Sequence, residues 1–286
     1  MIKKIVPAGA FAALLFILAS LVLAAPPLQI ATLDTPGTTG TLTLPPAADN
    51  SPVISLGSAV DPDTNKVVEG LAIIHRKENA AKPGSGKPGT TTCYTYLAKG
   101  AKWKSVEPWV VNPVNNVGIG TSSPNIVLNI LGNGVSKWED ATDGNVSNGT
   151  GVNVIGSGAT TSATLVADTS SPDSQNEVYF ADISDPGVIA VTIIWGVFSG
   201  PIFARELVEW DQVYDDVSFD WSAESLGVTG KMDFDNIATH ELGHSMGMGD
   251  LYNACVDETM YGFSATAETK KRDLNTGDIT GINALY

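Results

Sequence analysis

The sequence predicts an α+β domain in which one mixed β-sheet outweighs a small number of helices. Three observations carry that expectation. The chain of 286 residues contains 29 glycines and 16 prolines, punctuation that favours strands and turns over long helices. Five runs rich in Val, Ile, Thr and aromatic residues, at 152–155, 163–166, 177–183, 188–198 and 202–214, are bounded by turn-forming residues and read as strands. Only three segments, near 124–138, 233–246 and 278–285, carry helical starts, stops or spacing.

Lys3 and Lys4 precede an uncharged apolar run at 8–23, and Val22-Leu23-Ala24 supplies a cleavage site, so residues 1–24 read as an export signal. The same run is nearly long enough to remain as an anchor. Residues 25–100, broken by Pro, Gly and Thr, read as a loosely packed pro-segment and linker region. It holds a short strand at 67–75 and the flexible stretch Lys82-Pro83-Gly84-Ser85-Gly86-Lys87. Residues 101–286 form the main folded domain. It starts with a strand-like stretch at 103–111 that ends at Asn112-Pro113. A helix follows, with Pro124 in its first turn and an apolar face of Ile126, Ile130, Val135 and Trp138 interrupted by Gly132 and Gly134. The uncharged stretch 186–204 is β-branched and broken by Ser199-Gly200-Pro201, so it reads as strand, turn and strand rather than a membrane span. Asp233 or Asp235 caps a helix running through Met246 and stopped at Gly247. The last helix spans 278–285.

Lys and Arg total 16 against 31 Asp and Glu, a net charge of -15. No basic field exists for phosphate backbones, which excludes nucleic acid as a partner. Hydrophobic residues at 43% and charged residues at 16% exclude a disordered chain.

The chemistry is concentrated in His240-Glu241-Leu242-Gly243-His244-Ser245-Met246-Gly247-Met248-Gly249-Asp250. Residues four apart share a helix face, so His240 and His244 can close on one zinc ion. Glu241 lies at the rim of that face, in reach of a water on the metal without being a ligand. Gly247 lets the chain leave the helix in a conformation closed to bulkier residues, and Asp250 can swing back as the third ligand. Two of the three histidines in the whole chain occupy this one helix. The third, His75, reads as an ordinary surface residue.

This stretch and its flanks resemble the metzincin zinc endopeptidases, with matrixin-like features. Their signature HExxHxxGxxH precedes a methionine turn; here it stands as HExxHxxGxxD. Glu258-Thr259-Met260-Tyr261-Gly262 resembles the Met-Tyr turn of matrixins, and residues 277–286 resemble their final helix. The resemblance implies a twisted mixed sheet above a cleft, with an N-terminal helix, the zinc-site helix, the Met-turn and a C-terminal helix. It implies one catalytic Zn2+ on His240, His244 and Asp250, with Glu241 as general base and Met260 as a packing floor, and it makes 101–286 the catalytic domain. Structural Ca2+ is a further cofactor by the same likeness, with the Asp-rich turns at 140–145, 182–187 and 215–216 as candidates. No Pro-Arg-Cys-Gly latency segment is present.

An edge strand can hold an extended substrate by main-chain pairing. The run 202–214, interrupted by Arg205, Glu206, Glu209 and Asp211, is the candidate, or else an edge protecting itself with charge. Cys93 and Cys255, the two cysteines, read as a disulfide in an exported protein. The alternative places the Cys93 thiolate on zinc and leaves Cys255 free. The function so read is a secreted zinc-dependent endopeptidase acting on proteins or peptides, a monomer without stable membrane association once the signal is cut. The alternatives are a catalytically silent secreted zinc-binding or adhesion module and a zinc amidohydrolase of small amides.

Overall fold

The computed structural model describes residues 41–45, 51–78, 92–115, 117–119, 125–252 and 254–286. The export signal, the linker at 82–87 and Pro124 lie outside the described residues. In chain order the strands are β1 (Thr41–Leu42), β2 (Val53–Val60), β3 (Val67–Lys77) and β4 (Trp109–Val111), followed by helix α1 (Asn125–Asp140). Next come β5 (Gly158–Thr160), β6 (Asn176–Ile183), β7 (Val188–Val197) and β8 (Glu206–Asp215). The short β9 (Trp221–Ser222) and β10 (Met232–Asp233) pair with each other before α2 (Phe234–Ser245), β11 (Phe263–Ser264) and α3 (Thr276–Leu285).

The sheet runs β11-β3-β7-β8-β6-β4-β5, with β2 beside β3 and β1 beside the end of β6. β7 is antiparallel to both β3 and β8, whereas β8, β6, β4 and β5 run parallel. The nearly continuous apolar sequence of β7 is what burial on both faces requires. Alternate side chains separate two cores. Val178, Phe180, Ile194, Trp210 and Tyr214 face the helices, while Tyr179, Ile193, Trp195 and Val213 pack with Ile54, Leu56, Val68, Ala72 and Ile74 of β2 and β3 on the other side.

Helix α2 begins where Asp233 accepts a hydrogen bond from the Asn236 N–H at 2.9 Å, satisfying one of the free donors of the first turn. Arg272 Nε in turn donates to Asp233 at 2.8 Å. The helix is buried on nearly every side. The Trp138 indole of α1 donates to the Thr239 carbonyl and the Trp103 indole to the Ser245 carbonyl, both at 2.7 Å. Gly134 of α1 lies so close to Leu242 that a Cβ there would collide with it. The glycine that interrupts the apolar face is thus where α1 and α2 approach.

Four expectations are corrected. Residues 152–155 and 163–166 are not strands, because other groups satisfy their backbone: Glu139 accepts from the N–H groups of Val154 and Ile155, and Asn112 donates to the Ala163 carbonyl. Only Trp109–Val111 of 103–111 is strand, the earlier part being held by the hydrogen bonds of Trp103 to Tyr286 and Ser245. Residues 51–78 are not loosely packed, since β3 lies inside the sheet and carries Val68, Ala72, Ile73 and Ile74 at 0% exposure. The run 202–214 is not an edge, since β8 lies between β7 and β6. Two of its acids instead anchor the loop before β6 and the start of that strand: Glu209 accepts from the N–H groups of Asp173 and Ser174, and Asp211 from those of Asp168 and Glu177; Glu206 pairs with Lys104 at 2.8 Å.

Cys93 and Cys255 form a disulfide with a Cα–Cα distance of 5.6 Å. It closes a span of 162 residues, for which chain-entropy arguments give a ceiling on the order of 5 kcal/mol. Denatured, unreduced protein is expected to show no titratable thiol; two thiols would remove the bridge. The acids beside β8 generate a second expectation. Burial and the neighbouring Asp173 push the Glu177 carboxyl up to about 7, and burial with Asp168 pushes Glu209 up to about 9. The folded chain therefore holds protons that an unfolded chain, titrating near ~4.3, has released. That stabilisation is present at low pH and is lost as pH rises through each folded value. The Tm is expected to fall between about pH 5 and pH 9, with a shallower slope in Glu177→Gln; identical slopes would refute the assignment.

Candidate metal centre

The i, i+4 spacing on α2 brings the imidazoles of His240 and His244 together with their Nε2 atoms 3.2 Å apart. Each ring is oriented from behind. His240 Nδ1 lies 2.7 Å from the Thr259 carbonyl and His244 Nδ1 2.9 Å from the Met248 carbonyl. A carbonyl only accepts, so both Nδ1 atoms carry the proton, and the Nε2 lone pairs are available to a metal. Gly247, at φ 96°, turns the chain directly after the helix, a conformation that a Cβ penalises. Asp250 returns with Oδ1 at 3.2 Å from His240 Nε2 and 3.4 Å from His244 Nε2. Its Oδ2 accepts from the Tyr252 hydroxyl at 2.8 Å, while the buried Oδ1 accepts from no donor.

Acceptor atoms facing one another in a buried position call for a cation. Ligands at ~2.0–2.1 Å from a tetrahedral ion stand about 3.3 Å apart, and the three edges observed here, 3.2, 3.2 and 3.4 Å, match that spacing. The donor set therefore fits zinc with one coordination position left over. Burial pushes the His240 imidazole down to about 4. Against the same downward effect of burial, the Asp250 carboxylate raises the pKa of His244, so a proton competes with the metal for this position.

Met260 is fully buried directly beneath the helix, where a Cβ on Gly243 would overlap its sulfur. The turn that carries Met260 is fastened by Asp278 of α3, which accepts from the N–H groups of Thr259 at 2.7 Å and Met260 at 3.2 Å. Asp278 had a legible signal, standing three residues after Asn275 in a capping box.

Glu241 is adjacent to these ligands but fully engaged. Its Oε2 accepts from the Thr192 hydroxyl of β7 at 2.6 Å, and its Oε1 accepts from His75 Nδ1 of β3 at 2.7 Å. Burial pushes its carboxyl up to about 7. The direction of the chain of bonds behind His75 is determined by its far end, since an ammonium only donates. Lys271 Nζ donates to the Ser264 hydroxyl at 2.8 Å, and that hydroxyl donates to His75 Nε2 at 3.1 Å. His75 is thus a buried partner of the site, not a surface histidine, and its ring also lies 4.0 Å from that of His240. Composition and spacing carried no signal for His75 or Thr192, because both reach Glu241 only through the packing of distant strands, whereas Tyr252 stands two residues from Asp250 and Lys271 seven from Ser264.

Cys93 is bonded to Cys255 and does not reach the metal position as a thiolate. In the Asp-rich turns the carboxylates serve neighbouring donors: Asp140 the Asn148 N–H, Asp185 the Gly187 N–H, and Asp215 the N–H groups of Val217 and Ser218. Among the described residues a further acidic group, Asp168, Asp173 and Glu209, brings its oxygens within 4.8 Å of one another.

Residues 169–286 match the family model of the matrixin peptidases. Metalloendoproteinase 2-MMP of Arabidopsis thaliana is 36% identical over 61 residues, which are 21% of this chain and 15% of that relative. The stretch matched by the family model contains β6, β7, β8, α2 and the Met-turn. With its mixed sheet, the three helices among the described residues and its HExxHxxGxxD site, the chain is similar to the matrixin-like metzincins over residues 169–286.

Proposed function

We propose that this chain is an exported zinc-dependent endopeptidase that hydrolyses peptide bonds of proteins or peptides. One observation carries the reading: two imidazole nitrogens and an aspartate oxygen with no hydrogen-bond donor converge at tetrahedral spacing on the helix that also bears Glu241. The matrixin match supports a peptidase, and the Lys3-Lys4 start with its apolar run supports export.

His240, His244 and Asp250 would hold the ion, their orientation kept by the carbonyls of Thr259 and Met248 and by the Tyr252 hydroxyl. Zinc, when bound, supplies water acidified toward ~7 and polarisation of the scissile carbonyl. Glu241 is the candidate general base. A carboxyl pushed up to about 7 can take a proton and return it near neutral pH. Asp250 leaves the centre less positive than a third imidazole would. The hydrogen bonds occupying both oxygens of Glu241 favour a second reading, a zinc-binding module without turnover.

Metal analysis and hydrolysis of casein or a peptide library, with and without chelator, on the full chain and on the chain cut within residues 82–87, separate the two, and the variants below are compared in the form in which the wild type turns over. His240→Ala, His244→Ala and Asp250→Ala are expected to lose both zinc and hydrolysis. Glu241→Ala is expected to keep one zinc and to lose turnover by roughly 10²-fold or more. Full zinc content in His244→Ala would refute the ligand set. A Glu241→Ala rate equal to wild type would refute the role of Glu241, and activity confined to small acyl-amino acids would point to an amidohydrolase.

A further inference from the structure

The strand that supplies His75 lies upstream of the matrixin-matched stretch, yet it is inserted between two of that stretch's own strands. β3 pairs antiparallel with β7 from Glu69 to Arg76, and parallel with β11 where Arg76 and Lys77 meet Phe263 and Ser264. β7 and β11 flank the region of Glu241 and His240, so their facing edges form a slot for one extended chain. Open edges of this kind are what extended polypeptides bind by main-chain pairing.

Ile73 and His75 project to the helix side of the sheet, with Ala72 and Ile74 on the other. His75 then meets Glu241 at 2.7 Å, and its ring lies 4.0 Å from that of His240 at a tilt of 38°. The side chains of His240 and His244 are 0% exposed, that of Asp250 3% and that of Glu241 0%. In this arrangement no second polypeptide can reach them.

We infer that the β2–β3 hairpin is an internal inhibitory strand: β3 occupies the place of an extended substrate, and His75 holds the candidate base. The chain is latent while the hairpin is in place and becomes active when it leaves. The inference rests on the endopeptidase reading. Covalent linkage keeps β3 at a high effective concentration, and a cut between β3 and Cys93 makes its retention depend on dilution. The disulfide lies downstream of such a cut and leaves the metal side intact.

The test uses the full chain with a specific protease recognition sequence replacing residues 82–87. Zinc content and chelator-sensitive hydrolysis of a quenched peptide library are measured before the cut, and again after the N-terminal piece is separated in mild denaturant. Unchanged zinc with at least a tenfold rise in turnover is expected. A synthetic peptide of Val67–Lys77 should restore inhibition, and its His75→Ala version should be at least tenfold weaker. Equal turnover before and after separation, at equal zinc, overturns the inference and leaves the endopeptidase reading standing. No turnover in either form, with zinc bound, overturns that reading and the inference with it. The uncut wild type supplies an independent measurement, amide hydrogen exchange. Residues 72–75 are expected to exchange in an opening that leaves β8 and α2 protected, and exchange of all three only in one global step overturns the inference.

Discussion

The structure depends on an electrostatic demand: three buried acceptor atoms, on His240, His244 and Asp250, point at one another. Leaving such groups without a partner costs several kcal/mol in a low-dielectric interior, so the arrangement persists only because the surrounding chain over-determines it. The carbonyls of Thr259 and Met248 hold the rings, Gly247 reverses the chain, and the Tyr252 hydroxyl holds the free side of Asp250. A metal that satisfies the three acceptors binds the native state alone, and its affinity is therefore also folding stability.

The loop bearing Asp250 is held from both sides. On one side the segment after Cys93 pairs with it, through the hydrogen bonds from Gly249 to Thr95 and from Leu97 to Gly247 and through a bridge between Tyr96 and Met248. On the other, the Leu251 N–H donates to the Met260 carbonyl, and Asp278 fastens the Met260 turn. The Cys93–Cys255 bond closes this arrangement covalently. Ligand geometry, Met-turn and disulfide thus form one mechanical unit, and Gly243 lets α2 sit directly on the sulfur of Met260.

The buried polar groups on the sheet side follow a different logic. Lys271 has 0% exposure and donates to the carbonyl of Phe263 and to Ser264, joining β11 to β3 through His75 and ending on Glu241. A buried ammonium is tolerated when its donors are all used, and burial accordingly lowers its pKa to about 8. The same residues that complete the sheet hold the carboxylate beside the metal position. Sheet continuity and the state of the site are therefore linked through one side chain, His75.

From the sequence by itself came the elements whose signals are local: the HExxH spacing on a helix, Gly247 as its stop, the Met260 turn, the strands 177–183 and 188–198 and the C-terminal helix. Each depends on residues within a few positions of one another, and local periodicity or capping reports them directly. The pairing of Cys93 with Cys255 was legible for a related reason, since a chain with two cysteines allows one intramolecular bridge. Tertiary structure alone decided which strands are edges and what reaches the site. The charges at 205–211 read as a substrate-holding or self-protecting edge, yet Glu209 and Asp211 serve the loop 168–177 from a central strand. His75 had no neighbour in sequence to mark it, and its role arises only when β3 enters the sheet beside β7 and carries an imidazole to a carboxylate 166 positions away. Hydrogen bonds across such separations leave no periodic trace, because the backbone path that creates them is set by the packing of the whole sheet.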